Sequence, residues 1–215
     1  MVEHHSIHET CFIHENSYVD SPVVIGRGTR IWHFCHVMSN VRIGEQCVLG
    51  QNVFVQSTVR IGNHVHIQNN VSVYEGVTLE DHAFCGPSAV FTNVVNPRCE
   101  FPRKNEYQVT RVGRGATIGA NATVVCGHTL GEHCFIAAGA VVTHDVPPFA
   151  LVAGVPGRIV GWMSRYGRRL HFDSDGIARC NATGDVYRKS ASGAVDLIES
   201  SPQGSCHEHA SLACR

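Results

Sequence analysis

The chain has no excess of either charge: 17 Lys and Arg stand against 18 Asp and Glu, a formal net charge of −1 over 215 residues. That balance offers no broad attraction to DNA, RNA or an anionic membrane, so neither partner is expected. The first twenty residues, MVEHHSIHETCFIHENSYVD, contain no apolar run, which argues against a signal peptide or membrane anchor and leads us to expect a cytoplasmic protein. Nor does any CxxC occur among the 10 cysteines, so their spacing favours neither zinc nor a disulfide framework. The 15 histidines look metal-binding in bulk, but most fall on outward positions of the pattern described next, and no metal is expected.

What the chain does have is a repeat. From Ile13, every sixth residue is Val19, Ile25, Ile31, Val37, Ile43, Leu49, Val55, Ile61, Ile67, Val73, Leu79, Cys85 and Phe91, without a polar interruption. Two residues before most of these sits a small or β-branched residue, such as Val23, Thr29, Cys35, Val41 and Cys47, and Gly26, Gly44, Gly50, Gly62 and Gly86 follow the aliphatic directly. A period of six fits neither an α-helix nor a simple strand. It fits a triangular coil in which three six-residue units complete a turn and residues eighteen apart stack at about 4.8 Å. The fold class expected is therefore all-β, a parallel β-helix. Cys11, Cys35, Cys47, Cys85 and Cys134 point inward in this scheme as small apolar fillers.

The series breaks after Phe91 and resumes at Val112, Ile118, Val124, Leu130, Ile136 and Val142, so residues 96–109 must leave the coil as a loop, and a long loop on a rigid solenoid points to function. Three regions are expected: a β-helix over 1–146, a cap with short strands over 147–189 where a short helix could close the coil, and a flexible tail over 190–215. In the coil, His33, Gln51 and Asn69 share one outward column, Phe34, Asn52 and Asn70 the next, and Ser39, Ser57, Glu75 and Asn93 a third. Asparagine ladders also satisfy backbone groups, so the first two columns read equally well as structure or as a binding strip.

The hexads and the closing AGVPGRIVGW resemble the left-handed β-helix acyltransferases, with Gly157 where that family usually has alanine. The stretches HFCHVMSNVRIG, LGQNVFV, IQNNVSVYEGVTLED and FCGPSAVFTNVVNPR are similar, more narrowly, to the 3-N-acetyltransferases that act on UDP-2-acetamido-3-amino-2,3-dideoxyglucuronate in bacterial lipopolysaccharide O-antigen synthesis. The resemblance runs from about Ile13 to Tyr187. It implies a left-handed coil, a homotrimer, acetyl-CoA as cosubstrate, a UDP-amino sugar as acceptor, and sites in grooves between coils. Asn93 matches the family's FTN asparagine and is the candidate to orient the amine, with Glu75 as proton acceptor; no histidine base can be matched. His33, Phe34, Gln51, Asn52, Asn69, Tyr74 and Arg98 are candidates for the sugar nucleotide, and Ala137, Ala138, Gly139 and Arg158 for CoA. Three other readings stay open: an acetyltransferase for another nucleotide-linked amino sugar, a non-catalytic β-helix assembly subunit, and a γ-type carbonic anhydrase, for which His128 and His133 have a suitable spacing but the third position holds Thr92.

Overall fold

The computed structural model describes residues 5–103 and 105–201. Twenty-one strands, most of two residues, run from β1 (Ser6–Ile7) to β21 (Val141–Val142) and wind into a left-handed parallel β-helix. Every third strand pairs with the one before it, so three flat sheets form the faces of a triangular prism. Pairing is in register at a separation of eighteen, as in Ile25 opposite Ile43 and Ile31 opposite Leu49. Across the loop the separation becomes 33, with Leu79 opposite Val112 and Phe91 opposite Val124, so the insertion adds fifteen residues without shifting the phase of the coil.

The period-six residues make the core. From Ile25 to Val142 they are buried, whereas Ile13 and Val19, in the first turns, are covered only in part. That departs from a uniformly buried series because each turn depends on its neighbours for cover. The small residue two places earlier has a second role. Thr29 Oγ1 donates to Gly44 O at 2.9 Å, and the Cys35 and Cys47 thiols point at the same carbonyl position of Gly50 and Gly62 at 3.0 and 3.1 Å, so a buried donor is bonded at each of these bends. Burial pushes the thiols of Cys85 and Cys134 up to about 12, which keeps them protonated and inert.

Most bends place one residue in the left-handed region. Asn52, Asn70 and Asn121 hold it on one corner and His64, His82 and His133 on another, residue types that tolerate positive φ better than most. A methyl group on Gly26 would lie 2.6 Å from the backbone of Gly44, which explains the glycine that follows the aliphatic at this corner.

The cap contains no helix among the described residues. β22 (Ala150–Ala153) continues one sheet by pairing with the turn below, then β23 (Arg158–Trp162) folds back antiparallel over it. Pro147 and Pro148 stop the regular turns, and the hairpin covers the open sheet edge that a helix was expected to close. β24 (Ile177–Arg179), β25 (Val186–Lys189) and β26 (Val195–Glu199) form a separate antiparallel sheet. Its anchor is Asp185, fully buried and bonded by Arg165 through Nε at 2.8 Å and Nη2 at 3.0 Å. Burial alone would raise the Asp185 carboxyl, but hydrogen bonds from Thr183, Ser201 and Arg165 outweigh it and hold the group below its ordinary range. β26 lies inside the segment expected to be a flexible tail. Val195 and Leu197 alternate inward there and pair with β25, a two-residue period too short to stand out in the sequence. Residues 202–215, the rest of that expected tail, lie outside the described residues.

Candidate functional site

The prism has three corners, and they use the same bend differently. On the asparagine corner (32–35, 50–53, 68–71), Asn69 Oδ1 accepts the amide of Gln51 at 2.9 Å and Asn52 donates to Asn70 Oδ1 at 3.1 Å. His33 stacks on His14 with ring centroids 3.5 Å apart, and Phe34 occupies the left-handed position with its ring exposed. On the glycine corner (26–29, 44–47, 62–65, 80–83), Asn63 and Asp81 repeat the bond of Asn69: each accepts the amide of the residue eighteen earlier, at 2.9 and 2.7 Å. A carboxamide or carboxylate two residues after the core aliphatic therefore ties one turn to the previous one.

Asn93 occupies the same position, two residues after Phe91, on the third corner, the one that carries the loop. The amide it would accept is that of Glu75, and that amide is already bonded to Gln56 Oε1 at 3.1 Å. Among the described residues no protein group hydrogen-bonds the Asn93 side chain. It lines a cavity of about 400 Å³ instead, together with Tyr74, Phe91, Thr92, Val94, Pro97, Arg98, Arg103 and Tyr107. The loop is held over this cavity by main-chain bonds from Gln108 to Asn93 O and from Thr110 to Gly76 O, both 2.9 Å.

Of the candidate site residues, the structure brings Asn93, Tyr74 and Arg98 into one cavity. Glu75 is not among its lining residues; its carboxylate lies 3.5 Å from the Thr58 hydroxyl, because successive residues at a bend diverge and Tyr74 takes the inward course. His33, Phe34, Gln51, Asn52 and Asn69 sit on the asparagine corner, so within the chain the expected acceptor set is divided between two corners. Ala137, Ala138 and Gly139 lie on the last asparagine-corner turn, directly beneath the closing motif, where Gly157 donates to Val141 O at 2.7 Å. The amides of Ala137 and Gly139 are engaged within the coil, with Val152 O and Ala120 O, and so are not free donors. Arg158 is exposed at the start of β23. A methyl group on Gly157 would meet Val152 Cγ1 at 2.8 Å and Val141 O at 2.9 Å, which accounts for glycine where the resembled family has alanine.

Arg103 and Tyr107 are cavity residues that the sequence did not single out, because they belong to a loop with no period to place them; Thr92, named there only as standing where a third zinc ligand would be needed, also lines the cavity. The two histidines of the carbonic anhydrase reading occupy different corners of the coil. His128 faces Asp145 at 3.6 Å, while His133 stacks on Phe149, and burial, offset in part by Glu132, lowers its pKa and keeps it neutral. Among the described residues no three His, Cys, Asp or Glu side chains converge as metal ligands.

Known proteins resemble this chain in sequence and fold. The family model described as bacterial transferase hexapeptide (six repeats) matches residues 22–57, and hexapeptide repeat of succinyl-transferase matches 40–75 and 109–144, on either side of the loop. The dTDP-3-amino-3,6-dideoxy-alpha-D-galactopyranose 3-N-acetyltransferase of Aneurinibacillus thermoaerophilus is 40% identical over 173 residues, 80% of this chain and 89% of that one. A hexapeptide-repeat acetyltransferase from Vibrio cholerae O1 biovar eltor, solved with acetyl coenzyme A, is 29% identical, covering 57% of this chain and 70% of its own with a TM-score of 0.51. A galactoside acetyltransferase solved with coenzyme A is 26% identical, covering 61% and 70% with a TM-score of 0.52. Some other matching structures are longer, and the chain spans only 57% of them. With 40% identity across most of both chains and hexad models on both sides of the loop, the chain belongs to the hexapeptide-repeat acetyltransferases.

Proposed function

We propose that this protein transfers the acetyl group of acetyl-CoA to the 3-amino group of a nucleotide-linked amino sugar, and that the sugar binds in the cavity beneath the loop. The observation that carries the proposal is the Asn93 carboxamide, displaced by Gln56 from the backbone bond its counterparts make and facing a cavity with two guanidinium groups. The relative with 40% identity acts on a dTDP-linked 3-amino sugar, which supports the same position on the acceptor. Arg98 and the resemblance in FTNVVNPR favour an acid-bearing acceptor, a UDP-linked 2-acetamido-3-amino uronic acid of O-antigen synthesis.

The thioester is already activated, so placement supplies most of the acceleration. Asn93 Oδ1 accepts a hydrogen bond from the amine and turns its lone pair toward the thioester carbonyl. A C–N bond forms, the C–S bond breaks, and the proton lost by nitrogen goes to the departing thiolate, giving amide and CoA thiol. Glu75, turned toward Thr58, acts on the site through its charge. Arg158 and the Ala138 amide at the closing motif are proposed to hold CoA. Grooves between coils require association, so a cytoplasmic homotrimer is part of the proposal; light scattering should give about three times the 23.4 kDa of the chain. The activity is tested by thiol release against a panel of UDP- and dTDP-linked sugars bearing 3-amino, 4-amino or only hydroxyl groups. Release dependent on a 3-amino sugar is expected, and turnover of hydroxyl acceptors alone would reject the reading.

A further inference from the structure

Acetyl transfer accounts for Asn93 but leaves Arg103 in the same cavity without a task. Its Nη1 donates to the Glu106 carboxylate at 2.8 Å, while its Nε is buried and has no hydrogen-bond partner among the described residues. A buried guanidinium N–H without an acceptor is costly, and native proteins rarely leave one so unless something else supplies the acceptor. With Nη1 held by Glu106, the remaining edge of the guanidinium, Nε and Nη2, is the one that takes two oxygens of one anion side by side. Arg165 uses that same edge to grip both oxygens of Asp185 in the cap of this molecule. The rest of the lining suits an anion: Arg98 adds a second cation, Tyr74 and Tyr107 add aromatic walls with hydroxyl groups, and no carboxylate is among the lining residues.

We propose that Arg103 is a specificity-determining residue that binds an anionic group of the acceptor through its Nε edge, either the sugar carboxylate or the phosphate attached to the sugar. The proposal rests on the acceptor being a nucleotide-linked amino sugar. The Glu106 pair occupies Nη1 and leaves the Nε edge for the acceptor, so this loop residue sets which sugars are held with their amine at Asn93.

Three acceptors separate the sources: a nucleotide-linked 3-amino sugar with a carboxylate at C6, its 6-deoxy counterpart, and the acid sugar as a methyl glycoside without the diphosphate. Arg103→Gln, and Arg103→Lys, which keeps the charge but lacks the Nε edge, should raise KM for the acid nucleotide sugar about tenfold to a hundredfold, with kcat and the KM for acetyl-CoA within about twofold. If the carboxylate is bound, the methyl glycoside suffers equally and the 6-deoxy sugar is spared; if the phosphate is bound, the pattern reverses. Glu106→Gln removes the ion pair and leaves the Nε edge, so it should keep the wild-type order of preference. Unchanged KM values in both Arg103 variants, or an identical loss in Glu106→Gln, would overturn the proposal by making Arg103 a brace for the loop alone. Failure of the wild-type protein to acetylate any nucleotide-linked amino sugar would overturn the proposed function and this inference together.

Discussion

The asparagine corner and the loop corner are built from the same six-residue bend, yet one binds itself and the other leaves its polar groups for something else. Asn69 is engaged with the amide of Gln51, whereas the side chain of Asn93, in the equivalent position, has no hydrogen-bond partner among the described residues, the corresponding amide being bonded to Gln56. Residue type therefore says little about which asparagine in a solenoid is functional. What decides is whether the backbone group one turn away already has a partner. The fifteen-residue insertion then supplies the walls and cations that the bare corner lacks.

The harshest way to break this comparison is to turn the loop corner into an ordinary one. Deleting residues 94–108 restores the separation of eighteen, and Val109→Gly would provide the left-handed bend residue that Gly76 and Gly127 provide on the adjacent turns. The protein should fold with Tm within a few degrees of wild type while kcat/KM falls on the order of a thousandfold, as measured by melting and thiol release. Collapse of the fold would show that the loop is structural. Next, Asn93→Ala should lower kcat/KM about tenfold to a thousandfold with stability unchanged, since among the described residues the side chain has no hydrogen-bond partner to lose.

A subtler variant reverses the displacement itself. Gln56→Ala frees the Glu75 amide, and Asn93 can then fall back onto it as Asn69 does onto Gln51. A loss of about threefold to thirtyfold in kcat is expected, although Gln56 does not line the cavity, and it should vanish in the Asn93→Ala background; additive losses would contradict the coupling. The smallest effect belongs to Asn69→Ala, which should cost about 0.5–1.5 kcal/mol in chemical denaturation and leave kcat/KM within about twofold. A large kinetic defect there would restore the asparagine corner as a binding strip.

Much of this molecule is legible in its sequence. The unbroken run from Ile13 to Phe91 specifies a triangular coil because no other fold puts every sixth residue inside, and the break in phase before Val112 marks the loop. The cap is less legible: Pro147, Pro148 and Gly154 announce an ending but fit a hairpin as well as a helix, and the pairing of β26 with β25 joins segments of no distinctive composition. At the site, Asn93 and Arg98 can be found from the FTNVVNPR stretch, and Tyr74 from the resemblance in IQNNVSVYEGVTLED. Arg103 and Tyr107 cannot, because a loop without a period gives no rule for which side chains turn inward. The different states of Asn69 and Asn93 are hidden for another reason: that of Asn93 depends on the side-chain conformation of Gln56, two turns before it.

The most direct measurement is a crystal structure of the protein with CoA and a nucleotide-linked 3-amino sugar bound together. The sugar is expected beneath the loop, its 3-amino nitrogen within hydrogen-bonding distance of Asn93 Oδ1 and facing the CoA sulfur. A sugar seated along the asparagine corner, with Asn93 out of contact, would contradict it.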